Sequence, residues 1–128
     1  MSLPDKLKAA GLNFAPIEGT PWLIGYFDVE DDRKQKFFLY SEPDEMAGHG
    51  EYDFMSMVGP ADDAANVKKA CELATGFKRG AIVIFEGQIC LKMEIPADLD
   101  GRASMMHVEV ICRSADDLEK EIFGHDKF

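Results

Sequence analysis

Positive charge, histidine and long apolar runs are all scarce in this sequence, and each shortage removes a class of function. Fourteen Lys and Arg residues stand against 24 Asp and Glu, leaving a formal net charge of −10. Nucleic-acid binding takes most of its affinity from cations that neutralise phosphates, so that contribution is repulsive here, and anionic membrane surfaces are disfavoured for the same reason. The densest basic stretches, Arg33-Lys34-Gln35-Lys36 and Lys78-Arg79, are short, lie beside turns and read as solvated strand ends. The longest apolar runs, Trp22 to Phe27 and Ala81 to Phe85, fall well below the roughly 20 residues that cross a bilayer. The first residues lack a positive region followed by an apolar run and a cleavage site, so no secretory signal is read and the cytoplasm is the expected compartment. Neither a nucleic-acid nor a membrane partner is expected.

Motifs are equally sparse. Gly48 and Gly50 lack the third glycine and the strand-to-helix context of a phosphate-cradling loop, and no HExxH, CxxC or calcium-loop spacing occurs. No cofactor or dedicated metal site is predicted. The three cysteines, Cys71, Cys90 and Cys112, are widely spaced, odd in number and set among apolar neighbours, which predicts reduced, buried thiols. Of three histidines, His49 is the most suggestive for acid–base chemistry, because Glu42, Asp44, Glu45, Glu51 and Asp53 surround it in sequence. Such a density of oxygen ligands would suit a small metal-assisted hydrolase, whereas a solvated acidic loop explains the same residues without any ligand. His107 and His125 have no partner that spacing can name.

What the chain does have is core-forming material: 46% of its 128 residues are hydrophobic, enough for one domain over 1–128 with a single core. Ser2 with Asp5 forms a capping-box-like start, and Leu3, Leu7 and Ala10 recur at helical spacing before Gly11 stops the run, which predicts a helix over about 3–10. Trp22 to Val29 and Gln35 to Tyr40 read as strands of a hairpin turned by Asp31-Asp32-Arg33, and Tyr52 to Val58 as a third strand ended by Gly59-Pro60. Ser41 to Glu51, with Pro43, Gly48, Gly50 and many acids, reads as a loop. Asp62 or Asp63 can cap a helix to about Thr75 with the stripe Ala64, Val67, Cys71 and Ala74. Ala81 to Phe85 and Gln88 to Ile95 form a second hairpin across Glu86-Gly87, and in its second arm Ile89, Leu91, Met93 and Ile95 alternate with a wet face of Gln88, Cys90, Lys92 and Glu94. The end of the chain leaves two readings open. Met105, Val108, Cys112, Ala115, Leu118 and Ile122 suit one helix over about 101–123, while Met105 to Cys112 also alternates partly like a strand that a helix capped at Ser114 would follow.

The strands are apolar on both sides. Tyr52, Phe54 and Val58 share one face with Ser56, so Met55 and Met57 take the other; Trp22, Ile24 and Tyr26 oppose Leu23, Phe27 and Val29; Phe38 and Tyr40 oppose Phe37 and Leu39. A sheet of this kind must cover its second face with helices, another subunit or a bound protein. Six internal methionines add to the pattern, since flexible Met side chains recur on surfaces that fit more than one apolar partner. Met55, Met57, Trp22, Phe38 and Tyr40 are therefore the candidate protein-binding residues, and a homodimer is the expected state.

The order helix, three strands, helix, two-stranded hairpin, helix resembles the YbjN family, described as bacterial sensory transduction regulators, and the related secretion chaperone-like fold. The resemblance rests on Leu7-Lys8-Ala9-Ala10-Gly11-Leu12-Asn13-Phe14, on Phe54-Met55-Ser56-Met57-Val58-Gly59-Pro60 entering a helix, and on Phe77-Lys78-Arg79-Gly80-Ala81-Ile82-Val83-Ile84 leading to Gly87 through Pro96. It implies an α+β, two-layer domain with an antiparallel sheet of about five strands and flanking helices, ordered α-β-β-β-α-β-β-α. It further implies one long C-terminal helix, no catalytic residues, no cofactor, and action through contacts with an unidentified protein partner, commonly as a homodimer.

Overall fold

The structure is a computed structural model that describes residues 2–30, 32–46, 49–76 and 80–124, apart from the side chains of Met46 and His49. In chain order the elements are α1 (Leu3–Ala9), β1 (Phe14–Pro16), β2 (Trp22–Glu30), β3 (Arg33–Tyr40), β4 (Asp44–Met46), β5 (His49–Pro60), α2 (Ala64–Ala74), β6 (Ala81–Phe85), β7 (Gln88–Pro96) and α3 (Gly101–Phe123). The strands form one antiparallel sheet in the order β1-β2-β3-β5-β7-β6, with β4 paired to the first residues of β5. The expected α+β architecture is present, with seven strands rather than about five. The two additional ones are the three-residue β1 and β4.

Strand β4 corrects the reading of Ser41 to Glu51 as a loop. Asp44 pairs with Glu51, Glu45 with Gly50 and Met46 with His49. Nothing in this acidic hairpin alternates apolar with polar, so it carries no periodic signal; its backbone pairs with the first residues of β5.

All three helices contribute to one core on one face of the sheet. Leu3 and Leu7 from α1, Ala70 from α2, and Val108, Ile111, Cys112, Ala115 and Leu118 from α3 join Phe37, Leu39, Tyr52, Phe54, Val58, Ile89, Leu91 and Ile95 from the strands. Phe37 and Phe54 stack at its centre, ring centroids 5.0 Å apart. Two glycines permit close approaches. A Cβ on Gly25 would lie 2.5 Å from both the Asn13 carbonyl oxygen and Phe37 Cζ, and one on Gly59 would lie 2.4 Å from the ring of Phe123 at the end of α3. At the other end of the core, Lys6 Nζ donates to the carbonyls of Ala97 (2.9 Å) and Leu99 (2.7 Å), fastening α1 to the turn that leads into α3.

Helix α3 settles the open reading of the C-terminal stretch in favour of one helix. Asp100 Oδ1 accepts from the Ala103 amide at 2.8 Å, and Gly124, at φ 82°, ends the run after 23 residues. As a strand, 105–111 would have placed Met105, His107, Glu109 and Ile111 on one face, mixing charge with apolar surface. The helix instead gathers the apolar positions on a single stripe along its length. In α2 the predicted stripe is rotated: Val67, Ala70 and Leu73 meet the core, while Ala64 and Cys71 are exposed. Burying Leu73 removes more apolar surface from water than burying Cys71 would, and this corrects the expectation of a buried Cys71 thiol. Cys112 is buried as expected, and Cys90 is buried although strand alternation puts it with polar neighbours; burial pushes both thiols up to about 12, against a weaker opposing hydrogen bond from Ser56 at Cys112.

The β6–β7 hairpin turns on Glu86 (φ 51°) and Gly87 (φ 74°), a two-residue loop with both central residues in the left-handed region. Only Glu86 is strained there, because its Cβ crowds the following carbonyl. Glu86→Asn, which supplies the side chain this turn favours, is expected to raise stability by up to about 1 kcal/mol, read as a higher denaturation midpoint with an unchanged m-value.

Candidate protein-contact site

The face of the sheet away from the helices carries a second apolar cluster. Phe38, Met55 and Cys90 are buried there, with Ile17, Trp22, Ile24, Met57, Val83 and Phe85 packed around them. Every member lies on a strand except Ile17, which follows β1, and no helix residue takes part. Alternation along each strand produces this cluster: Trp22, Ile24 and Tyr26 from β2, Lys36, Phe38 and Tyr40 from β3, Met55 and Met57 from β5, Cys90 from β7, and Val83 and Phe85 from β6 share one side.

The aromatic side chains form its walls. Trp22 meets Tyr40 edge-on at a centroid distance of 4.9 Å and an interplanar angle of 87°, and Phe85 lies 4.9 Å from Trp22 and 5.1 Å from Phe38. Between them opens a cavity of about 700 Å³, lined by Ile17, Trp22, Ile24, Phe38, Met57 and Phe85, with Thr20, Lys36, Glu86 and Gln88 among its polar groups. That volume falls within the range of ligand clefts, and its walls have the usual character of such clefts, apolar with a few polar groups. All five sequence candidates therefore come together on one face. They do not play one role: Met55 is only 3% exposed, buried within the cluster and not part of the cavity lining, whereas Trp22, Phe38 and Met57 line the cavity and Tyr40 flanks Trp22.

Five members of the cluster, Ile17, Ile24, Val83, Phe85 and Cys90, are not among the sequence candidates. Cys90 was assigned to a wet face, but its side chain is fully buried in the cluster, opposite Val83 in the β6–β7 register. Phe85 and Ile17 had no signal beyond hydrophobicity, since their contribution depends on the sheet order that brings β6 and the β1–β2 turn around the same hollow.

On the helix side, the basic stretch at 33–36 splits across the two faces. Lys34 is exposed, but Arg33 and Gln35 point under α3, which corrects the reading of this stretch as a solvated strand end. Arg33 makes a short ion pair with Asp116 through Nη2 and a further hydrogen bond through Nε at 3.2 Å. Gln35 Nε2 donates to Glu119 Oε1 at 2.7 Å, and Ser56 Oγ donates to Gln35 Oε1 at 3.2 Å. Lys120 Nζ lies 3.3 Å from Asp116 Oδ2. Burial alone would push the Asp116 carboxyl up, but the hydrogen bonds and charges of Arg33 and Lys120 outweigh it and hold the group below the usual carboxylate range. This network joins β3 to α3. Its acids, Asp116 and Glu119, fall outside the apolar stripe of α3, so periodicity alone carries no signal that they are buried.

The acidic segment that suggested a cation site is arranged differently. Asp44, Glu45 and Glu51 lie along the β4–β5 hairpin, Glu94 is held above the usual range chiefly by a hydrogen bond with Glu51 and then by desolvation, and Lys92 pairs with Asp53 at 3.4 Å. Among the described residues, no three His, Cys, Asp or Glu side chains are grouped to hold a metal ion. The His49 side chain and the whole of His125, Lys78 and Arg79 lie outside the described residues. No helix of the described residues is long and apolar enough to cross a membrane. No family model and no curated protein matches the sequence.

Proposed function

We propose that this chain is a non-catalytic protein-binding domain, a chaperone-like or regulatory adaptor, that holds apolar segments of a partner protein on the helix-free face of its sheet. One observation carries this reading: an aromatic and methionine-lined cavity of about 700 Å³ on a face that, among the described residues, none of the three helices covers. Apolar surface left open in this way gains free energy when a partner removes it from water, and Met57 beside Trp22 supplies side chains that adapt to more than one shape.

Trp22 is the sole tryptophan and stands in the cavity wall, so it reports occupancy directly. Titration with short extended peptides rich in Leu and Phe is expected to shift its emission to shorter wavelength saturably, with micromolar to millimolar dissociation constants, about −8 to −4 kcal/mol. Ser- and Gly-substituted versions of the same peptides should leave the emission unchanged. Indifference of Trp22 to every apolar peptide across that range would refute the proposal.

A further inference from the structure

The two edges of the sheet are unequal. Strand β1 is three residues long and ends at Pro16, which blunts it as a template for pairing. Strand β6 closes the other edge with Ala81-Ile82-Val83-Ile84-Phe85, five apolar residues without a charge, a proline or a bulge. Ile84 is 52% exposed on it. Native edges are ordinarily protected by devices of this kind, and among the described residues β6 carries no charge, proline or bulge.

The hairpin register identifies which backbone groups of β6 remain for a partner. Phe85 and Gln88 flank the two-residue turn and so form the closing hydrogen-bonded pair; Val83–Cys90 and Ala81–Lys92 are hydrogen-bonded in turn, because antiparallel pairs alternate. The N–H and C=O groups of Ile82 and Ile84 therefore point away from β7, along the free edge. Two identical strands can satisfy these four groups on each copy only in an arrangement where Ile82 of one meets Ile84 of the other.

We propose that a second copy of this chain pairs antiparallel along β6, with the two-fold axis at Val83. In that register Ile82 exchanges two hydrogen bonds with the second copy's Ile84, and Ile84 two with its Ile82. On the helix side these are β-branched cross-strand pairs that cover the exposed Ile84. On the other side Val83 meets Val83, and Phe85 meets Ala81, whose small side chain leaves room for the ring. Charge favours this edge. The chain carries −10 overall, yet β6 has no ionisable side chain, and the adjoining α2 carries Lys68 and Lys69 against Glu72. Because each β1 edge is blunted, the assembly closes as a dimer instead of growing into a fibre. Phe85 walls the cavity of each copy, so pairing would bring the two cavities side by side. The dimer itself does not depend on the peptide-binding reading, which has its own test in Trp22 emission.

The tests are light scattering and directed cross-linking of the full chain. The wild type is expected to run at twice the 14.3 kDa chain mass at micromolar concentration. Ile84→Lys, at a half-exposed position, should remain folded by circular dichroism and run as a monomer. Ile84→Pro removes only an outward donor and should do the same. In a background of Cys71→Ser and Cys90→Ala, which removes the thiol facing position 83 within the chain, Val83→Cys should oxidise to a covalent dimer, since residues facing at a non-hydrogen-bonded antiparallel site lie about 4.5 Å apart, within disulfide reach. Ala81→Cys should form no such dimer alone but should do so when mixed with Phe85→Cys. A wild type that is monomeric throughout, a dimer that survives Ile84→Lys, or a Val83→Cys chain that does not cross-link would each overturn the assignment.

Discussion

Arg33→Ala is expected to destabilise the protein by about 3 kcal/mol or more, out of a total of about 5–15 kcal/mol for a domain of this size. The Arg33 side chain is only 14% exposed and provides the closest positive charge to Asp116, which is itself almost fully buried. Its removal strands that carboxylate under α3 with Lys120 as its remaining cation, and Glu119, held by Gln35, lies one turn further along the same helix face. A buried carboxylate that loses its cation gives up far more than an exposed pair would, because water cannot replace the lost partner. Urea denaturation of wild type and variant measures the difference.

The same ion pair sets a direction for acid sensitivity. Asp116 has a folded-state pKa lowered relative to the unfolded value, about 3.9 for an ordinary Asp. Its stabilising contribution is therefore complete above the unfolded value and is lost as pH falls towards the folded one. Melting temperature should decline through the range below about pH 4 in the wild type. In Arg33→Ala the burial that opposes ionisation is less well offset, so the Asp116 contribution to that decline should shrink. An acid limb equally steep in both proteins would show that Asp116 is not its source.

Met55 and Met57 are expected to respond in opposite ways to the same substitution. They occupy the same strand face two residues apart, and alternation alone treats them as equivalent. The structure separates them: Met55 is 3% exposed inside the cluster, while Met57 is half-buried in the cavity wall. Met55→Lys would place an ammonium among Phe38, Cys90 and the surrounding aromatics, a burial that costs several kcal/mol without a partner and should largely unfold the domain. Met57→Lys can extend its charge into the open cavity, so melting should fall little. Peptide affinity read from Trp22 should nevertheless drop about tenfold or more, equivalent to about 1.4 kcal/mol, as an apolar wall becomes charged. Thermal melting beside Trp22 titration distinguishes the two. Unfolding by both substitutions would make the whole cluster core and remove the contact surface.

Alternation at period two and helical stripes at three and four were enough to determine most elements from the sequence, because each encodes which side chains leave water. Phe37 against Phe38, and Tyr52 and Phe54 against Met55 and Met57, sort correctly on that basis, while the stripe from Met105 to Ile122 is one of two readings that periodicity leaves open. The two-faced apolarity of the sheet, and hence the candidate surface, was legible in the same way. The short strands β1 and β4 were not, since three residues carry no period and their pairing is stabilised only by neighbours distant in sequence. Nor could local pattern assign Arg33, Gln35, Asp116 and Glu119 to the interior. A polar side chain enters a core only when a complementary one meets it there, and Arg33 and Asp116 are 83 positions apart. The rotation of α2 that exposes Cys71, the burial of Cys90, and the difference between Met55 inside the cluster and Met57 in the cavity wall likewise arise from tertiary packing. Local sequence determined which face most strand residues take, but only the assembled fold decided how much water is left there.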